Sequence, residues 1–239
     1  MPLVMDYDTV FDKRAGDYNY AVTTYPYALM NELSVAASMV DAAPGDIVLN
    51  IPGACVDIRP YLTEGVIYKP YETNKVFSTV SGVPFASWDS VPEADSSVDR
   101  VLSLASLHHA TDTERAVFYA EAARVLKPGG SLVIGDVLAG SRQDRWLNGF
   151  VAGFNGHNGQ FWSLSDVALL EAAGFTVTTA LKTYTWNFTD SAAMVDFTRH
   201  LFGLRAASDR EILGGLRIYL GASDTSFEWS LLYFTCTLP

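Results

Sequence analysis

The stretch Val98–Val137 constrains the fold of this chain more than any other. Val101–Leu107 and Ser131–Val137 are apolar runs of the length expected for strands buried on both faces. Between them the spacing predicts a helix with both ends marked. Thr111 and Glu114 stand at the interval of a capping box, in which each side chain satisfies a backbone donor. Val117, Ala120, Ala123 and Leu126 recur every third residue as one apolar stripe. Lys127 suits the negative helix end, and Pro128-Gly129-Gly130 stops the helix and turns the chain. Strand, helix, tight turn and strand make a βαβ unit, which requires a parallel sheet and a right-handed crossover.

The 239 residues are enough for one large α/β domain, 49% of them apolar. No run reaches the roughly 18 apolar residues of a membrane span. Met1 to Lys13 carries acids where a signal peptide has basic and apolar regions. A formal charge of −11 argues against a nucleic-acid backbone as partner. Cys55 and Cys236 fit neither a metal pair nor a disulfide framework. The expectation is a soluble, cytoplasmic, ligand-handling protein that binds neither nucleic acid nor membrane.

Residues 1–42 are expected as an N-terminal arm and helix, and 43–239 as the main domain. Tyr7 to Tyr27 shows little periodicity. Its tyrosines, Tyr18 and Tyr25 among them, form either an aromatic lid or an arm packed on the surface. A helix is expected from about Ala28 to Val40. Ile47–Ile51 reads as the first buried strand, and Pro52-Gly53-Ala54-Cys55-Val56-Asp57 follows where an α/β domain places its glycine loop. Only Gly53 is a glycine, and Pro52 removes an amide donor, so neither a dinucleotide fingerprint nor a Walker pattern is present. Pro60 and Gly65 leave room for about one helical turn. Gly65–Lys69 and Lys75–Val80 read as strands joined by a loop too short for a parallel crossover, hence an antiparallel hairpin at a trimmed edge. Further on, Gly140–Gly159 suits a helix followed by a mobile segment at a pocket mouth. Ser163–Ala173, Ser191–Leu204 and Ser208–Leu220 read as helices. Phe175–Leu181 and Phe227–Thr237 read as strands, the last with Phe227, Trp229 and Tyr233 on one face.

The series Ser97–Ser103, Leu107-His108-His109, Arg124-Val125-Leu126-Lys127-Pro128-Gly129-Gly130 and Leu132–Asp136 resembles the class I S-adenosylmethionine-dependent methyltransferases, nearest to small-molecule enzymes of the type 11 and ubiquinone-biosynthesis kind. Leu169–Phe175 matches a helix-to-strand junction of that family. The resemblance covers about Ala43 to the C-terminus. It implies a Rossmann-like α/β sheet of seven strands, helices on both faces, and Phe227–Thr237 inserted antiparallel. It also implies S-adenosylmethionine as cofactor, held near Asn50, Gly53, Ala54, Trp88, Ser103 and Leu104. Against the family pattern, Asn50 stands where the first strand ends in an acid, and Pro52, Ala54 and Val56 occupy glycine-favouring positions. Tyr68-Lys69-Pro70 lacks the ribose-binding acid, with Glu72 a displaced candidate, and Ser87 replaces the adenine-side acid. These departures fall together in one half of the domain and point to loss or remodelling of the donor site.

Among candidate catalytic residues, His108-His109 stands at the carboxyl end of a strand, where ligands bind in open α/β sheets. Adjacent side chains point differently, so no shared metal is expected, and in the family the pair is largely structural. His157, among glycines and asparagines, is the candidate general base, its alternative being a surface loop histidine. Trp88 either stacks on a flat ligand or plugs the core. Cys55 reads as an activated thiol or as a small filler of the old glycine loop. Tyr18, Tyr25, Trp146, Phe154 and Trp162 are expected around the substrate. Three readings stay open. One is methyl transfer to a small apolar or aromatic molecule, where positioning supplies most of the acceleration. A second is a non-methylating reaction, such as cyclisation or isomerisation, in the same cavity. The third is a homodimer or partner subunit pairing through the trimmed edge.

Overall fold

Val101 pairs with Leu132, and Leu102 with Val133, in the parallel ladder that the βαβ pattern requires. In the computed structural model, which describes residues 5–54 and 57–239, that ladder lies at the centre of a six-stranded sheet. Its members are β1 (Ile47–Asn50), β2 (Ile67–Pro70), β3 (Val98–Leu104), β4 (Leu126–Asp136), β5 (Thr176–Asn187) and β6 (Ser226–Thr237), in the order β2-β1-β3-β4-β6-β5. The first four run parallel, and β6 enters antiparallel between β4 and β5. The helices are α1 (Tyr7–Thr24), α2 (Met30–Val40), α3 (Lys75–Ser81), α4 (Asp112–Val125), α5 (Arg142–Asp144), α6 (Ala152–Asn155), α7 (Val167–Ala172), α8 (Ser191–Leu201) and α9 (Asp209–Gly215).

Alternation along the central strands divides the core in two. Val48, Leu102, Leu104 and Val133 face one layer, and Leu49, Val101, Leu132 and Ile134 face the other. All are buried, each contributing roughly 2 kcal/mol by transfer from water. The first layer holds α1, α2 and α8; the second holds α4 and α7. At α4 both halves of the Thr111–Glu114 capping box form. The buried face, however, is Arg115, Phe118, Tyr119, Ala122 and Val125, while Val117 is 43% exposed. The stripe is displaced by one residue from the expected one, because Phe118 and Tyr119 offer far more apolar area than the valine and alanines.

Three expectations fail at the front of the domain. Tyr7–Thr24, apparently aperiodic, is an 18-residue helix capped by Asp6, whose side chain accepts from the Thr9 amide. Its buried residues Tyr7, Val10, Phe11 and Ala15 make an apolar face that its tyrosines and acids obscure in sequence. Lys75–Ser81 is helix α3 rather than a strand: Asn74 caps it through the Phe77 amide at 2.8 Å. β2 consequently pairs parallel with β1, no hairpin forms, and the sheet has six described strands rather than seven. Among the described residues between β1 and β2 only a 3-10 turn, Arg59–Tyr61, forms, as Pro60 and Gly65 imply. No helix among the described residues is long and apolar enough to cross a membrane.

Candidate functional site

β3 ends at Leu104, and Ala105 then adopts φ 49°, with its amide held 2.7 Å from the Gly135 carbonyl. A left-handed alanine costs roughly 1–2 kcal/mol and turns the chain sharply off the sheet. The 3-10 turn Leu107–His109 that follows brings both histidines under α1. His157 reaches the same place from the loop after α6. The ring centroids of His108 and His109 are 4.2 Å apart, those of His108 and His157 5.7 Å, and those of His109 and His157 5.2 Å. All three rings are buried. His157 is therefore not a surface histidine, and the adjacent pair converges instead of diverging. A 3-10 turn spaces side chains by about 120°, which lets two neighbours line one wall when the turn itself is buried.

Each ring has one nitrogen tied down. His108 Nδ1 lies 2.8 Å from Asp136 Oδ1, at the end of β4. His109 Nδ1 lies 2.8 Å from the Met5 carbonyl, and His157 Nδ1 3.1 Å from Asn148 Oδ1. Burial pushes His109 and His157 well below the ordinary histidine range, with the neighbouring rings adding to the effect, so both stay neutral. The histidines open on a small chamber of about 80 Å³, walled also by Phe11, Arg14 and Tyr18 of α1 and by Glu32 of α2. Glu32 accepts from Trp186 Nε1 at 2.9 Å, and burial raises its carboxyl to about 7.

Beside this chamber lies the face that, by the resemblance, receives the methyl donor. There Glu72, fully buried, accepts from the amides of Ala54 (3.1 Å), Thr73 (2.8 Å) and Asn74 (2.9 Å), and from the Tyr7 hydroxyl (3.4 Å). Burial nonetheless raises its carboxyl to about 7. Tyr7 also meets Trp88 edge-on at 5.6 Å, and Phe11 stacks on Phe77 at 4.7 Å. These contacts divide the cleft. A pocket of about 400 Å³ borders Gly53, Ala54, Tyr68 and Leu29. Another of about 390 Å³ borders Tyr7, Trp88 and His109. The small chamber touches the first at Leu29 and the second at His109.

Among the described residues, the groups that the resemblance assigns to S-adenosylmethionine are engaged with one another and do not fit it in this arrangement. The Ala54 amide, which should face the amino-acid end of the cofactor, is taken by Glu72, and Glu72, the available ribose acid, is taken by the backbone. A Cβ on Gly53 would fall 2.8 Å from the Asn50 carbonyl and 3.0 Å from Pro70 Cβ. That glycine serves the packing of the loop against β2. Asn50 donates to the Tyr68 hydroxyl at 2.8 Å, and Ser87 to Asp89 at 2.5 Å.

The other expected site residues scatter. Tyr18 reaches the chamber. Tyr25 instead donates to Asp196 on α8 at 2.7 Å. Trp146 stacks on Phe150, and Phe154 packs against that same ring. Trp162 lies in the opposite core layer beneath Arg115, whose guanidinium carbon is 4.5 Å from its ring. Ser103 is buried with its hydroxyl 3.1 Å from that of Ser106, and Leu104 belongs to the core. Trp88 contacts Tyr7 and Phe118 and borders the pocket beside His109. Cys55 and Val56 lie outside the described residues. Sequence reasoning missed Glu32, Arg14 and Asn148. Glu32 left a signal: it occupies the buried stripe of α2 with Leu33, Ala36, Ala37 and Val40, where an acid demands a reason.

A family model described as "Methyltransferase domain" matches residues 55–134. Comparison with curated proteins finds no match. Among solved structures, a possible histamine N-methyltransferase of Thermotoga maritima is 18% identical, with 96% of this chain and 99% of that one covered and a TM-score of 0.60. The YcgJ protein of Bacillus subtilis is 19% identical over 86% of this chain and 97% of its own, at TM-score 0.58. The [4+2]-cyclase SpnF is 17% identical over 99% and 98%, at 0.60. Likenesses at this level establish the fold.

Proposed function

We propose that this chain, whose fold is that of class I methyltransferases, is a non-methylating enzyme of the isomerase or cyclase class acting on a small, largely apolar molecule. The observation that carries this reading is the commitment of Glu72 to the Ala54 amide, with Tyr7 closing over both. One long ligand cannot lie across a cleft so divided. A compact substrate can occupy the pocket beside Gly53 and Tyr68 and present its reacting end to the chamber. There His157, His108 and Glu32 offer hydrogen-bonding groups in dry surroundings, where such groups act most strongly on developing charge. SpnF, a cyclase on this fold, supports the class of chemistry.

Isothermal titration with S-adenosylmethionine and S-adenosylhomocysteine tests the proposal. No saturable heat is expected from either, while a screen of small metabolites should raise the melting temperature. Saturable binding of either nucleoside would overturn it.

A second reading, methyl transfer from S-adenosylmethionine to a small apolar or aromatic acceptor, has one observation in its favour. Glu72 stands two residues beyond β2, close to where the family holds the ribose. It requires α1 to withdraw, releasing Glu72 from Tyr7 and Ala54. A partner-subunit role loses its main argument, since the edge is a four-residue parallel strand and not a hairpin.

A further inference from the structure

The three histidines share more than proximity. Each Nδ1 faces an oxygen: a carboxylate of Asp136, the Met5 carbonyl and the Asn148 side chain. The Met5 carbonyl can only accept, and the Asp136 carboxylate already accepts from the His108 and Val137 amides. The third is fixed as an oxygen because it also accepts from the Gly159 amide at 2.8 Å, while Asn148 Nδ2 donates to the Gly159 carbonyl at 2.9 Å. An acceptor at Nδ1 places the proton there and leaves the lone pair on Nε2. Three Nε2 lone pairs are therefore left on rings that border one chamber, and no hydrogen bond to any Nε2 is made among the described residues.

From this geometry we propose that His108, His109 and His157 form a binding site for one divalent first-row transition ion, Zn²⁺ by its donor set, with a coordination position open to the chamber. Imidazole nitrogen suits this class of ion, and three protein ligands plus an open position is the arrangement of catalytic rather than structural zinc. One ligand atom from each residue lies within 4.8 Å of the others. Tetrahedral coordination at about 2.0–2.1 Å needs nitrogens about 3.3 Å apart, so each pair closes by about 1.5 Å at most, within the reach of small side-chain rotations.

The surroundings fit a cation. The Asp136–His108 contact is the carboxylate–histidine partnership that orients metal ligands and raises their basicity. Asp136, fully buried, supplies a compensating negative charge, and Glu32 on the chamber wall can supply another. Gly159 permits the approach. A Cβ there would lie 2.9 Å from His108 Cδ2 and 3.1 Å from His157 Cε1, carbons that flank Nε2 in their rings. Arg14 adds a positive charge at the wall, favouring an anionic or oxygen donor in the open position. An ion held there would be a Lewis acid facing the substrate pocket. That role rests on the function proposed above, whereas binding of the ion stands without it.

The test uses the full chain stripped by a chelator and titrated with Co²⁺ alone, with Zn²⁺ competition and elemental analysis of the untreated protein. Expected are one equivalent of Co²⁺ per chain with visible d–d bands of low coordination number, displacement by Zn²⁺, and at least a tenfold loss of affinity in His109→Gln and His157→Gln. The variant Asn148→Ala keeps all three ligands and should lose about 10–100-fold, the usual cost of removing an outer-shell partner. Should a histidine variant fail to fold, the wild-type spectrum and Asn148→Ala still decide. Co²⁺ binding with only the weak d–d bands of a six-coordinate ion, binding unaffected by any variant, or no binding at all would each overturn the site. Because nucleoside titration reads the donor face separately, failure here and failure of the proposed function are distinguishable.

Discussion

The Glu72 carboxylate lies 3.1 Å from the amide nitrogen of Ala54, so a group placed to grip a ribose instead ties the loop after β1 to the end of β2. The Thr73 and Asn74 amides join it in buried contacts, while the Ala54 contact is partly buried. Glu72→Ala leaves three backbone donors without an acceptor, and each buried orphan costs about 1–3 kcal/mol. Urea denaturation should show a loss of at least about 3 kcal/mol, with Glu72→Gln recovering part of it. A protein that uses Glu72 for a nucleoside would keep its stability in both variants and lose nucleoside affinity instead.

Glu32 makes the fold sensitive to pH in a direction opposite to most acids. Its neighbours are Trp186 and Tyr184 on β5, Tyr233 on β6 and Asp136 on β4, with Arg14 of α1 on the same chamber wall. Burial outweighs the hydrogen bonds and raises its carboxyl from 4.5 to about 7. The folded chain thus holds this proton more tightly than the unfolded chain. The stabilisation is complete below the unfolded value and disappears as pH rises through about 7, amounting to on the order of 3 kcal/mol. In metal-free protein, the melting temperature of Glu32→Gln should fall less steeply between about pH 5 and 8 than that of the wild type, the decline that remains coming from Glu72, whose carboxyl burial also raises to about 7. Parallel curves for the two would refute the assignment.

What the sequence disclosed followed from local rules. The Thr111–Glu114 box, the Pro60 and Gly65 interruption and the Val101/Leu132 pairing are each written in a few adjacent residues. The front of the domain was illegible because its elements depend on distant partners. Asn74 caps α3 only while its amide is held by Asp8 and Asp12, each at 2.8 Å, more than sixty residues away. The β-branched Val76, Thr79 and Val80 argue locally for a strand, and tertiary context overrules them. The histidine cluster was half visible. His108, His109 and His157 were all in view, but convergence depends on the left-handed turn at Ala105 and on Asn148, neither of which carries a sequence signature.

Gly159 is where packing and the proposed ion meet. Gly159→Ala must push apart His108 and His157, since its Cβ has contacts of 2.9 and 3.1 Å. Overpacking of this kind costs about 1–3 kcal/mol. The expected result is a folded protein with a lowered melting temperature and at least tenfold weaker Co²⁺ binding. If melting falls while Co²⁺ affinity is unchanged, the two rings do not act on one ion.

Arg115 holds the two halves of the histidine cluster together from the opposite layer. Its side chain is completely buried, donates from Nε to the Leu107 carbonyl at 3.0 Å and from Nη2 to the Gln160 carbonyl, and covers the Trp162 ring. Leu107 opens the turn bearing His108 and His109, while Gln160 follows the loop bearing His157 and donates its own amide to the His108 carbonyl at 2.8 Å. Arg115→Met preserves most of the apolar stem but leaves both carbonyls and Asp166 without this partner. Hydrogen bonds to a charged group contribute about 1.5–3 kcal/mol each, so a loss of roughly 3 kcal/mol is expected by denaturation. Hydrogen exchange separates this clamp from a general loss of stability. Faster exchange at the amides of residues 157–161, relative to those of β3 and β4, would show that Arg115 fixes the loop in place. Uniform acceleration throughout the chain would show that it supports only the core.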